Sequence, residues 1–283
     1  GIGNYVMDAA MNGAIYNVGI GYSALSDLTT GESNVAIGGH ALENNTSGVA
    51  NIAIGSWDSS TYQAPMTSNS VGSFNIAIGS GALRLANEND NDGSVGIGYG
   101  ALNNQAGTGG AQFANATVGI GYKALTALTT GAANTAVGYQ SGASLVDGNQ
   151  NSIFGYNAGY SLTEGLDNTA MGYGALYAEN DGDYCVAIGS LALNSQTGVS
   201  GAVRNTALGY KAGYAVTTGV RNVIIGTDAA VGMQDADECV IIGNYAMAAN
   251  ATQDGTIAIG RSALAALTSG ANNVAVGFES GKV

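Results

Sequence analysis

Asn17-Val18-Gly19-Ile20-Gly21 returns as Asn34-Val35-Ala36-Ile37-Gly38, again as Asn51-Ile52-Ala53-Ile54-Gly55, and so on to Asn273-Val274-Ala275-Val276-Gly277. There are fifteen full copies, and Gly3 ends a truncated sixteenth. Ten of the fifteen intervals between the closing glycines are 17 residues and the others are longer, so the longer ones read as insertions into a fixed coil. A short period sustained along a whole chain signals stacked supersecondary units, none of which buries enough to fold alone.

Let the first residue of each copy be position one. It is Asn in ten copies, and otherwise Ser94, Thr117, Thr256, Cys185 or Cys239. Position four is always apolar, as in Ile20, Ile37, Val137, Met171 and Val276. Position three is Ala or Gly in most copies, and position five is Gly in all (Gly21, Gly38, Gly138, Gly172, Gly277). Side chains alternate across a strand, so positions two and four share one face and positions one, three and five share the other. The expectation is a dry core built on the large β-branched face, with the small Ala/Gly face turned outward. An Ala-Leu element follows at positions eight and nine, an apolar residue often at twelve, and a second Gly often at fifteen, as in Ala24, Leu25, Leu28 and Gly31. This predicts a strand, a turn, a second short extended piece and a turn within each coil. The expected fold is all-β: a parallel β-solenoid (β-roll) of about 16 coils with a ~17-residue repeat, and residues 1–283 as one repetitive domain. Strands are expected at Asn17–Gly21, Asn34–Gly38, Asn134–Gly138, Asn168–Gly172 and Asn273–Gly277, stacked in register with their asparagine amides paired along the axis.

Composition narrows the function. The chain has 20 acidic against 7 basic residues and a net charge of −13. Without a basic cluster there is no counterion-release term, which argues against nucleic acid as a partner. Anionic membrane surfaces are disfavoured for the same reason, and the apolar runs are too short to span a bilayer. Gly makes up 46 residues but Pro only 1, which removes collagen, and 46% hydrophobic residues at fixed spacing remove disorder.

The runs Asn134-Thr135-Ala136-Val137-Gly138-Tyr139 and Asn168-Thr169-Ala170-Met171-Gly172-Tyr173-Gly174-Ala175-Leu176 resemble the head repeats of YadA-like trimeric autotransporter adhesins. They are closer still to the N-T-A-[IV]-G-Y-x-A-L runs of bacteriophage tail fibres. The resemblance covers essentially the whole chain. It implies a left-handed parallel β-roll, with three chains intertwined or packed about one axis. The adhesin head repeat is shorter than this one, which favours the tail-fibre likeness.

Few residues invite chemistry. His40 is the only histidine and reads as a surface turn residue. Cys185 and Cys239 both stand at position one, three coils apart and roughly 14 Å along the axis, too far for a disulfide. They read as small buried residues. Glu88, Asp90 and Asp92 begin like a calcium loop, but the later bidentate Glu is missing, and solvated loops are the preferred reading. No cofactor is expected. Tyrosines recur at position six and should stack along the roll. The insertions after Ser59, Leu83, Leu102 and Leu193 should emerge on one side, where solenoids often bind. The longest carries the only proline, near the only tryptophan, making Trp57, Tyr62 and Gln63 the candidate binding residues.

The expected function is therefore non-enzymatic: a structural segment of an extracellular trimeric fibre, of the viral tail-fibre shaft type, supporting attachment to a host surface. A bacterial surface adhesin head binding through side loops, and a self-assembling extracellular filament subunit, are the alternatives. Expected partners are two further copies of the chain, other fibre segments, and a cell-surface glycan or receptor. The location is a virion tail fibre or a cell surface. Neither end reads as a cap, so the residues are expected to belong to a longer fibre.

Overall fold

A computed structural model describes residues 1–57, 63–85, 92–105, 116–197 and 200–281. It is all-β, without a helix among the described residues, and it is a parallel β-solenoid. Two compact units, Gly1–Gly148 and Asn149–Val283, carry the repeat. The first holds strands β1 (Val18–Ile20), β2 (Val35–Ile37), β3 (Ile52–Ile54), β4 (Ile76–Ile78), β5 (Val95–Ile97), β6 (Val118–Ile120) and β7 (Thr135–Val137). The second holds β8 (Ser152–Phe154), β9 (Thr169–Met171), β10 (Gly182–Asp183), β11 (Val186–Ile188), β12 (Gly201–Ala202), β13 (Thr206–Leu208), β14 (Val223–Ile225), β15 (Val240–Ile242), β16 (Ile257–Ile259) and β17 (Val274–Val276).

Within each unit the three-residue strands pair in parallel, position for position: Val18 with Val35 and Ile20 with Ile37 in the first, Thr169 with Val186 and Met171 with Ile188 in the second. The strands are three residues rather than the expected five, with Asn and Gly flanking them. Ile2 bridges to Ile20, which accounts for the truncated sixteenth copy ending at Gly3. The 17-residue insert-free coil and the 20-residue coil between Gly189 and Gly209 keep the same strand register, and the longer one adds the small ladder of β10 on β12.

The second extended piece does not form. Positions seven, nine and seventeen take left-handed backbone conformations, as in Ser23, Leu25 and Ser33 with φ of 52°, 55° and 59°. Alternation of left- and right-handed residues breaks any strand there and produces compact turns. Those turns still bond to the adjacent coil, for example Leu25 N–H to Ala41 O at 3.2 Å and His40 N–H to Tyr22 O at 2.7 Å.

The glycines at position five have φ between 119° and 145°, a region that side chains avoid. Space forbids a side chain there too. A Cβ on Gly38 would lie 1.9 Å from the Gly55 carbonyl oxygen, and one on Gly172 would lie 2.6 Å from Gly189 O. At position fifteen space favours glycine in several coils: a Cβ on Gly31 would meet Gly48 O at 2.4 Å, although Ala236 and Gln253 hold the position in two others.

The strand faces are the reverse of the sequence expectation. Position three is buried in every strand of the repeat, while positions two and four are half-buried or exposed. The reason is volume. The fully buried leucines of positions nine and twelve, such as Leu25, Leu28, Leu125 and Leu128, fill the narrow coil. What remains opposite them admits only Ala or Gly: a Cβ on Gly119 would meet Leu102 Cγ at 2.9 Å. Where position three is Ile, the balance shifts. Ile153 faces Gly159, and Ile224 faces Gly213, where a Cβ would meet Ile224 Cδ1 at 3.0 Å.

Position one completes the interior. Asn168 is buried. Its Oδ1 accepts from Cys185 N at 2.9 Å in the next coil, and its Nδ2 donates to Gly182 O at 2.8 Å in its own turn. Asn34 does the same with Asn51 N at 3.0 Å and Gly48 O at 2.8 Å, and Asn51 Nδ2 adds an amide–amide bond to Asn34 Oδ1 at 3.1 Å. One side chain thus satisfies two buried backbone groups that would otherwise each cost about 1–3 kcal/mol.

This packing predicts that Ala187→Asp, which puts an unpaired carboxylate in the core at a cost of several kcal/mol, roughly 3–5, abolishes the β-sheet circular dichroism signal. Ile188→Asp, one residue on and half-buried, leaves the coil folded. Loss of signal in Ile188→Asp with an intact Ala187→Asp would return the core to the opposite face.

Candidate functional site

Because every coil repeats the same positions one step apart, like side chains line up in rows. Position six and its neighbour carry aromatic rows. In the first unit Tyr5, Tyr22, His40 and Trp57 meet edge to face with centroid separations of 5.5, 5.2 and 5.1 Å. Tyr99, Tyr122 and Tyr139 stack nearly parallel at 5.5 and 5.0 Å. In the second unit Tyr156 stacks on Tyr173 at 5.6 Å, and a second row at position ten stacks Tyr160 on Tyr177 at 5.3 Å. The position-ten row was not anticipated, although the 17-residue spacing of Tyr160 and Tyr177 is its signal.

The candidate binding residues are not gathered into one described site. Trp57 is 53% exposed and packs its ring on His40, whose Nδ1 lies 3.0 Å from Glu43 Oε2. Gln63 is exposed, and its backbone carbonyl accepts from Gly81 N at 2.7 Å. Tyr62 lies outside the described residues, as do Glu88 and Asp90 of the acidic loop. Asp92 uses Oδ1 to accept from Ser73 N at 2.6 Å. Among the described residues no three His, Cys, Asp or Glu side chains are grouped to hold a metal ion.

The cysteines are free and buried at position one. Around Cys185 the interior changes. Gln196, at position twelve in place of the usual leucine, reaches Cys185 Sγ at 3.2 Å, Glu179 Oε2 at 2.5 Å, and accepts from Asn205 Nδ2 at 2.8 Å. Glu179 is fully buried, and its Oε1 accepts from Asn180 N and Gly182 N at 2.9 Å each. Sequence reading did not single out this carboxylate, whose burial depends on Gln196 in the following coil. Burial pushes the Cys185 thiol up to about 11, and pushes Cys239 upward as well.

The other outward feature is the strand face itself. Val18 is 45% exposed, Val274 71% and Val276 66%, with Ile20, Ile78, Met171 and Leu208 also exposed. Among the described residues no helix is long and apolar enough to cross a membrane. Comparison with known proteins finds no matching family model and no matching curated relative.

The thiol environment yields a prediction. Thiolate is the reactive form, so a raised pKa and burial make both cysteines inert. In the folded chain neither should react with a thiol-specific disulfide reagent at pH 8, and both should react once denatured. The folded thiol of Cys185 holds its proton where an unfolded one has lost it. Stability is therefore full below the ordinary thiol range and falls as pH rises from there through about 11. Cys185→Ser should flatten that fall; an unchanged alkaline profile would contradict the assignment.

Proposed function

We propose that this chain is a structural, non-catalytic segment of an extracellular trimeric fibre of the viral tail-fibre shaft type, supporting attachment to a host surface. The observation that carries the reading is the unpartnered Val/Ile face of the strands. In both units, position four is apolar in every strand and position two in most, and both positions are part-exposed or exposed. Large exposed apolar patches mark interaction surfaces. Most of these side chains are at most about a third exposed, and covering one contributes about 0.5 kcal/mol. Over the strands of one chain this amounts to roughly 10 kcal/mol, of the same order as the ~4–15 kcal/mol cost of association.

The occupant best matched to this face is a second and third copy of the chain. The face is a periodic ladder with an apolar residue at position four of every coil and a second at position two in all but the four coils of Thr135, Ser152, Thr169 and Thr206, and only a partner with the same coil spacing meets every rung. A copy related by rotation about an axis along the ladder does so automatically. The number three rests on the resemblance to trimeric fibre repeats. A net charge of −13 per chain keeps such an assembly soluble. Rows of identical coils suit a spacer that holds an attachment element away from the particle.

The test is the mass in solution. Light scattering at micromolar concentration should give three times the 28.0 kDa chain mass, and Ile225→Asp should lower it to that of one chain while the coil stays folded. A single-chain mass for the unaltered protein would overturn the trimer and with it the fibre reading.

A further inference from the structure

The tyrosine rows of the second unit stop together. Tyr156 and Tyr173 stack at position six, and Tyr160 and Tyr177 stack at position ten. In the next coil these positions are Ser190 and Asn194; in the coil after that they are Tyr210 and Tyr214. Both rows thus skip one coil. Tyr156 covers one face of the Tyr173 ring, leaving the face toward the Ser190 coil open. Lys211 occupies the far side, with its Nζ 5.3 Å from the Tyr210 centroid and 5.5 Å from that of Tyr214.

A groove of about 260 Å³ lies at this interruption, lined by Asn157, Tyr173, Gly174, Tyr177, Leu191 and Asn194. Tyr173 is 57% exposed. Gly174 at position seven leaves the floor open, where Asn157 and Leu191 stand in the flanking coils. Asn194 is held by one amide N–H to Gly174 O at 2.9 Å. Asn157 Oδ1 is buried and has no hydrogen-bond partner, a state that costs about 1–3 kcal/mol unless something donates to it. None of the lining residues stands at position two or four, so the groove is separate from the face assigned to chain association.

We propose that this groove binds one neutral pyranose ring of a surface glycan. The missing tyrosine leaves a slot with an aromatic face and two amides. A pyranose matches the slot: its C–H face carries partial positive charge against the negative ring face of Tyr173, and its hydroxyls bond to the Asn194 amide at the groove wall. A volume just below the usual range for drug-sized ligands fits a single ring. The acidic chain favours an uncharged sugar over an anionic one. This deepens the attachment role proposed above by naming its ligand class, but it rests on a site within one chain.

Saturation-transfer NMR with the methyl glycosides of glucose, galactose and N-acetylglucosamine, with glucuronate alongside, tests it. Ring C–H protons of at least one neutral glycoside should receive saturation, and glucuronate should not. Ser190→Tyr, which continues the tyrosine row into the slot, should weaken binding about tenfold or more with melting temperature shifted by less than about 2 °C. Tyr173→Ala should abolish it, and Tyr245→Ala, at an exposed tyrosine outside the groove, should leave it unchanged. No transfer from any neutral glycoside, equal transfer to glucuronate, undiminished transfer in Ser190→Tyr, or loss in Tyr245→Ala would each overturn the proposal. The oligomeric mass is read separately, so a failed sugar titration leaves the fibre reading standing.

Discussion

The fold depends on how closely one coil lies on the next. At position five the carbonyl of the next glycine stands where a side chain would be at most steps of the stack, 1.9 Å from the Cβ site in the case of Gly38 and Gly55 and 2.6 Å in that of Gly172 and Gly189. That contact admits no residue but glycine, and it fixes the step and the register of the stack together. From it follow the one-to-one strand pairing, the backbone bonds that continue through the turns, and the rows of identical side chains. An inserted residue must leave the coil as a loop, because slipping the register would turn every side chain to the other face. The small ladder of Gly182–Asp183 on Gly201–Ala202 is what one insertion becomes once its ends are held by this step.

The interior is polar along one edge and apolar along the other. Asparagine at position one is suited to its edge because a short amide reaches both the next coil's N–H and its own coil's carbonyl. In two of the five coils without that asparagine, a glutamine from across the coil takes over. Ser94 receives a bond from Gln105 Nε2 at 3.2 Å, and Cys185 is met by Gln196 Nε2 at 3.2 Å. Both glutamines stand at position twelve, where leucine is usual. The buried Glu179 is held in the same network, with three hydrogen bonds offsetting its desolvation.

Much of this was legible in the sequence, because periodicity is a property of the sequence itself. The parallel register, the repeat length and the stacking of Tyr122 on Tyr139 follow from spacing alone. The orientation of the strand faces did not. Hydrophobicity ranks Ile20 and Ile37 above Ala36 as core residues, but the decision is made by Leu25 and Leu42, which arrive from another part of the coil and leave no room for a second large side chain. A local pattern carries no information about the width of the cavity it will face. The same limit hid Glu179, whose burial depends on Gln196 in the following coil. The groove at Asn157, Tyr173 and Asn194 escaped notice because its signal is a pair of tyrosines missing from rows.

An outward ladder of valine and isoleucine around a core of alanine, leucine and asparagine makes the single coil an incomplete object. Its own core is filled, and an apolar strand face stays outward; copies of the chain are the occupants proposed for it. Adjacent residues of one strand separate the two environments most directly. Ile224 is fully buried and Ile225 is half-buried on the opposite face. The native cysteines are buried, so single cysteine substitutions at these sites can be followed by thiol reactivity. The account predicts that Ile225→Cys joins chains covalently under mild oxidation, while Ile224→Cys resists thiol reagents until the protein is unfolded. A reactive Ile224→Cys beside an inaccessible Ile225→Cys that never links chains would contradict it.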